Sequence, residues 1–176
     1  APFNAQYYKG TPETEIAYMG CRTRVMGNVY DPDREIAPGR GNLSFTSINL
    51  PRLGLKHGEI LQGQCDLEGF YQELDDKMDL VKDQLLERYR VQCARRVKNF
   101  PFLMAQGNWL NSDQLDIEDT LESVLKHGTL TIGFIGLAEC LKALVGAHHG
   151  ESEESQELGL KIVSHMRKRM DEATEK

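Results

Sequence analysis

A cysteine flanked by a glycine and an arginine is the first residue of this sequence whose setting suits chemistry. Cys21 follows Gly20, where the backbone can turn sharply, and precedes Arg22, whose cation can lower a thiol pKa. Cysteine is also among the most buried residue types, so an inert core thiol is the alternative on local sequence alone. Met19, two residues earlier, reads by itself as a flexible core side chain. Asn42 closes the run Gly39-Arg40-Gly41-Asn42 and by itself reads as a turn residue. Glu139 follows Gly133-Phe134-Ile135-Gly136, at an expected strand-to-helix turn where backbone amides could face an anion. Two glycines at this spacing are not a phosphate-loop fingerprint, however, and a carboxylate is favourable near a helix N-terminus in any case. His148 and His149 make a poor metal site, because adjacent side chains point apart and only Glu153 could share a helical face with His149. They are expected to interact with a helix C-terminus, and Arg167-Lys168-Arg169 to form a solvated helix end. Cys21, Cys65, Cys93 and Cys140 include no CxxC pair, so reduced thiols and no metal are expected.

The elements that must position these residues follow from composition and periodicity. Five of the six prolines and many β-branched residues fall in the first 55 positions, which therefore read as strands and loops. Extended backbone is expected over Ile16–Met19 and Arg22–Val25 with a bend at Cys21, and a strand over Leu43–Leu50 that Pro51 stops or leaves at an edge. From Asp66 to Val97 the apolar residues Leu67, Phe70, Leu74, Met78, Val81 and Leu85 recur at helical spacing. A helix of that span would be about 48 Å long, too long for this chain alone to cover, so it is expected to pack against structure outside it. Further helices are expected over 117–127, with Asp116 as N-cap and Gly128 as terminator, over 137–145 and over 152–170, the last with Ile162, Val163, Met166 and Met170 on one face. A short buried strand should occupy 129–134. The fold class is α/β, read as a single piece of 176 residues with a strand-and-loop part (1–55) and a mainly helical part (56–176) holding one short strand. An opening Ala1 rather than Met suggests a piece of something longer.

Charge and hydropathy exclude several function classes. Twenty-seven acidic against 21 basic residues give a net charge of −6, so no global basic field exists for a nucleic-acid backbone. No apolar run approaches the roughly 18–20 residues that span a bilayer, and no basic-then-apolar leader opens the chain, so the cytoplasm is the expected location.

Two long motifs sharpen the reading. Tyr18-Met19-Gly20-Cys21-Arg22-Thr23-Arg24-Val25, followed by Gly39-Arg40-Gly41-Asn42-Leu43-Ser44-Phe45-Thr46-Ser47-Ile48-Asn49-Leu50-Pro51-Arg52, closely resembles the anaerobic (class III) ribonucleoside-triphosphate reductases. The likeness continues through Asn108-Trp109-Leu110 and Thr131-Ile132-Gly133-Phe134-Ile135-Gly136-Leu137-Ala138-Glu139 to His148-His149-Gly150-Glu151. The resemblance implies part of a ten-stranded α/β barrel of the glycyl-radical enzyme type, in which a radical stored on a C-terminal glycine passes to a cysteine on a loop inside the barrel. Cys21 matches that cysteine. Asn42 matches the asparagine that holds the ribose hydroxyls, a task that suits a neutral amide with donors and an acceptor. Met19 stands where formate-using members carry methionine, and Glu139 is the candidate for triphosphate binding. The implied partners are a ribonucleoside triphosphate and formate, the remainder of the barrel, a radical-SAM activating enzyme and a second copy in a homodimer. The regulatory ATP-binding region, a second catalytic cysteine, the glycine-radical loop and a four-cysteine structural zinc site would all lie outside this chain. Another glycyl-radical enzyme of the formate-lyase type has no ribose for Asn42 to hold. A helical interaction module built on the Leu67–Leu85 stripe needs no such thiol.

Overall fold

The computed structural model describes residues 18–19, 23–24, 30–31, 33 and 38–174. In chain order these form β1 (Tyr18–Met19), β2 (Thr23–Arg24), β3 (Asn42–Asn49), α1 (Leu50–His57), α2 (Glu59–Gln62), α3 (Leu67–Cys93), α4 (Glu122–Leu125), β4 (Thr129–Ile135), α5 (Leu137–Val145) and α6 (Glu153–Thr174). The fold is α/β: β3 and β4 pair as a small parallel sheet, and helices fill most of the rest. β1 and β2 pair antiparallel, with Met19 opposite Thr23. Of the expected extended backbone on either side of Cys21, Tyr18–Met19 and Thr23–Arg24 are present. The bend itself, and Cys21, lie outside the described residues.

The chain divides into two compact units, residues 1–45 with 85–131, and residues 46–84 with 132–176. In the second unit β3 runs straight into a helix that the sequence reading missed. Asn49 caps it, its side-chain oxygen accepting the Arg52 N–H at 3.2 Å, and Pro51 sits in the first turn, where a missing N–H costs nothing. Pro51 therefore starts a helix and is not a strand edge. Leu50 and Leu53 of α1 are buried with Phe70, Leu74 and Met78 of α3, Leu141 and Leu144 of α5, and Ile162 and Met166 of α6. This corrects the expectation that the long stripe needs a cover from elsewhere. α3 has 27 residues, Asp66 caps it by accepting the Gly69 N–H at 2.9 Å, and Phe70, Leu74 and Met78 have no solvent exposure within this chain.

Residues 94–97 do not extend α3 as the periodicity suggests. Arg96 takes extended backbone and bridges Thr120, and the Val97 N–H donates to the Asp119 carbonyl in place of a helical partner. The first unit has its own core of Cys93, Val97, Met104, Trp109, Leu121, Val124 and Leu125. The helix expected over 117–127 shrinks to the single turn α4. Asp116 makes a local turn, accepting the Glu118 N–H, and does not cap a helix. β4 is half-buried, not buried, and ends on exposed Phe134 and Ile135.

α5 spans the expected residues, and α6 starts where expected, with the Ser152 hydroxyl accepting the Ser155 N–H. Ile162, Met166 and Met170 lie one turn apart on the packed face, whereas Val163 is rotated off it and joins no core. The run Arg167-Lys168-Arg169 is not a helix end, since α6 continues to Thr174. Arg167 pairs with Asp171 on its own helix, and Arg169 reaches Asp79 on α3 at 2.9 Å.

Gly58, between α1 and α2, has ordinary φ but no room: a Cβ there would lie 2.0 Å from the Ala143 carbonyl oxygen. Gly58→Ala should therefore lose about 1–3 kcal/mol of stability through overpacking, and chemical denaturation will measure it. An unchanged midpoint would show that α1 and α5 are not in contact at this point.

Candidate functional site

The start of β3 is held from three directions. Gly39 has φ +72°, a region that L side chains rarely adopt, and its carbonyl accepts the Leu110 N–H at 2.6 Å. The Gly41 carbonyl accepts the Thr129 N–H at 3.0 Å, which sets β4 beside β3. Between the two glycines Arg40 is only 5% exposed, and its Nε donates to the buried His127 carbonyl at 2.7 Å. Burial lowers the guanidinium pKa from its ordinary value. The loop that meets Gly39 is fixed in turn. Trp109 Nε1 donates to the Val124 carbonyl at 2.9 Å and Asn108 Nδ2 to the Phe102 carbonyl at 2.7 Å. Two motifs far apart in sequence, Gly39–Asn42 and Asn108–Leu110, thus form one structure.

Asn42 is the product of this arrangement. Its Nδ2 donates to Thr131 Oγ1 at 2.5 Å, while its Oδ1 is shut off from solvent and has no hydrogen-bond partner. Thr129 lies on the same face of β4 as Thr131, because strand side chains alternate, and its hydroxyl oxygen is also buried without a partner. A buried acceptor left unmade costs about 1–3 kcal/mol, so it is either a defect or a place held for a donor. Thr129, Thr131, Arg40 and His127 were not singled out from sequence. Two threonines spaced by two in an otherwise apolar strand, and an arginine between two glycines, were the available signals.

The other sequence-level candidates lie apart. Met19 occupies β1, next to the undescribed residues that include Cys21. Glu139 is exposed in the first turn of α5 and belongs to the second unit, whereas Asn42 belongs to the first. Gly136, before that turn, packs so closely on Pro51 that a Cβ would lie 2.2 Å from the proline ring. His148 does not meet a helix C-terminus: its N–H donates to Glu151 and its Nδ1 accepts the Gly150 N–H, a closed local turn. The three described thiols all have a pKa above the ordinary thiol value. Burial pushes Cys140 up to about 12, and also raises Cys93 and Cys65.

Comparison with known proteins now assigns the chain. The family model described as anaerobic ribonucleoside-triphosphate reductase matches residues 2–176. The chain belongs to this family. It is 29% identical over 153 residues to the anaerobic ribonucleoside-triphosphate reductase of Haemophilus influenzae, covering 85% of this chain and 20% of that protein. The Salmonella typhimurium protein of the same name is 28% identical over 157 residues, covering 88% and 21%, and that of Enterobacteria phage T4 is 26% identical over 163 residues, covering 92% and 25%. The chain spans about a fifth to a quarter of the length of these reductases. Among the described residues no helix is long and apolar enough to cross a membrane.

Arg40 tests how far the site depends on its scaffold. Arg40→Met keeps most of the apolar stem but leaves the His127 carbonyl without this donor. It should lower the stability of the chain by roughly 1–3 kcal/mol in urea unfolding, and a variant as stable as the parent would mean that the Gly39–Gly41 run is held by its backbone contacts alone.

Proposed function

We propose that this chain supplies the cysteine loop and the ribose-contacting strand of an anaerobic ribonucleotide reductase, an oxidoreductase that converts ribonucleoside triphosphates to deoxyribonucleoside triphosphates. The buried, unpartnered Oδ1 of Asn42 carries this reading. An uncharged acceptor in a dry setting suits a sugar hydroxyl, whereas a carboxylate there would carry a desolvation cost. On this reading β3 and β4 are two strands of the family's ten-stranded barrel. The exposed Phe45, Phe134 and Ile135 support that, since parallel strands are ordinarily covered on both faces. The rest of the barrel would be the cover, and the whole enzyme a homodimer in the cytoplasm.

On this reading the chemistry falls to Cys21, the cysteine that the Tyr18–Val25 motif matches to the family's radical cysteine. As a thiyl radical its sulfur takes the hydrogen atom from ribose C3′: an S–H bond forms as the C–H bond breaks, and the two are close enough in strength for the step to reverse at the end of turnover. A glycyl radical generated by a radical-SAM activating enzyme, both outside this chain, supplies the oxidised state of the sulfur. Asn42 orients the ribose by accepting from a hydroxyl. Met19 in β1 favours formate as the reductant, and Glu139 is left as a weaker candidate near the triphosphate. The four-cysteine structural zinc site is read as lying outside this chain. The alternative of a helical interaction module is weakened, because Phe70, Leu74 and Met78 of the stripe it would use are buried against this chain's own helices.

Cys21→Ser in the complete reductase is the test. Serine is nearly isosteric, but its O–H bond is too strong for a glycyl radical to break. Turnover of ribonucleotide should fall to background while the glycyl radical still forms and is seen by electron paramagnetic resonance. Retained turnover would return Cys21 to the status of a core thiol.

A further inference from the structure

Asn42 carries two different hydrogen-bonding groups on its amide. The amide nitrogen is already engaged, donating to Thr131 Oγ1 at 2.5 Å, while the amide oxygen is buried and unpartnered. Were the amide rotated by half a turn, nitrogen and oxygen would exchange places and a donor would face the ligand. The bond to Thr131 anchors the amide; a hydroxyl can donate as well as accept, so it fixes the place of the side chain rather than which amide atom faces it. Thr131 can do this because β4 is locked in register beside β3 by the Thr129 N–H to Gly41 carbonyl bond, two residues before it on the same face.

We propose that Thr131 is a positioning residue for Asn42: its hydroxyl, bonded to Nδ2, holds the amide in place at the start of β3 with Oδ1 left to accept from a ligand hydroxyl. This rests on the reading of Asn42 as the ribose contact and adds to it the residue that holds the amide in place. The nearby Thr129 hydroxyl, also buried and unpartnered, is a second polar atom on the same face of β4 and can serve the same diol. Thr131 itself touches no reacting atom. Its whole influence on the reaction passes through the amide.

That last statement is what a double-mutant cycle measures. In the complete reductase, Thr131→Val should lower kcat/KM for ribonucleotide by about tenfold, the usual worth of one hydrogen bond. Thr131→Ser, which restores the hydroxyl, should recover most of the loss, a rescue that a purely volume-filling role would not show. In an Asn42→Ala background, Thr131→Val should change kcat/KM less than twofold, since no amide remains to orient. Should the valine variant fail to fold, Thr131→Ala replaces it in the same cycle. A full tenfold loss in the Asn42→Ala background, or a serine variant as impaired as valine, would overturn the positioning role while leaving Asn42 as the ribose contact. Full activity of Asn42→Ala alone would overturn the ribose contact, and the role of Thr131 with it.

Discussion

Asn42 and Thr131 meet only because β3 and β4 run parallel and side by side, and everything else said of the site follows from that pairing. Parallel neighbours cannot be joined by a tight turn, so the chain must leave the sheet and return. Here the return takes residues 50–128, whose elements supply the core of the first unit and, with α5 and α6, that of the second. The pairing is pinned at its start by a backbone hydrogen bond from Thr129 to Gly41. It is helped at Gly128, where a Cβ would lie 2.6 Å from Leu43, and at Gly133, where it would lie 3.2 Å from Ser47 Oγ. The site is thus a by-product of strand register, with the loops around Arg40 and Trp109 acting as its clamps.

Stability and chemistry are separated along the chain. The apolar groups with no exposure, among them Leu50, Phe70, Leu74, Met78, Leu141 and Ile162, sit in the second unit. Its ion pairs, His57 with Glu73 at 2.7 Å and His165 with Asp75 at 2.6 Å, tie helix to helix. Lys56 and His57 hold the Glu73 carboxyl below its ordinary pKa, so this contact helps at neutral pH and is lost as acid protonates the carboxylate. The first unit holds the orphaned acceptor of Asn42 and the buried cation of Arg40, features that cost stability and make sense as a site.

How much of this was legible beforehand differs by element. α5 and the start of α6 follow from local signals, glycines with positive φ around α5 and a serine cap for α6, and local signals survive folding. α1 was missed because Pro51 was read as an end, although proline is equally suited to a helical first turn. α3 was given too much length because periodicity cannot show that Val97 finds a non-local partner in Asp119. The same limit applied to the site. Asn42 was identified through its motif, but Thr131, 89 residues on, becomes its partner only through strand pairing that no local pattern encodes. The family assignment was legible because two motifs in order are specific, and the match over residues 2–176 agrees with it.

The central claim is that a preset amide acceptor at Asn42 reads a ribose hydroxyl. Binding of a ribonucleoside triphosphate to the complete reductase, compared with binding of analogues lacking either the 2′- or the 3′-hydroxyl, tests it most directly. At least one of the two analogues should bind about tenfold more weakly than the ribonucleotide to the parent enzyme, and that gap should vanish in Asn42→Ala. Equal gaps in parent and variant would contradict the account, because the hydroxyl would then be read by some other group.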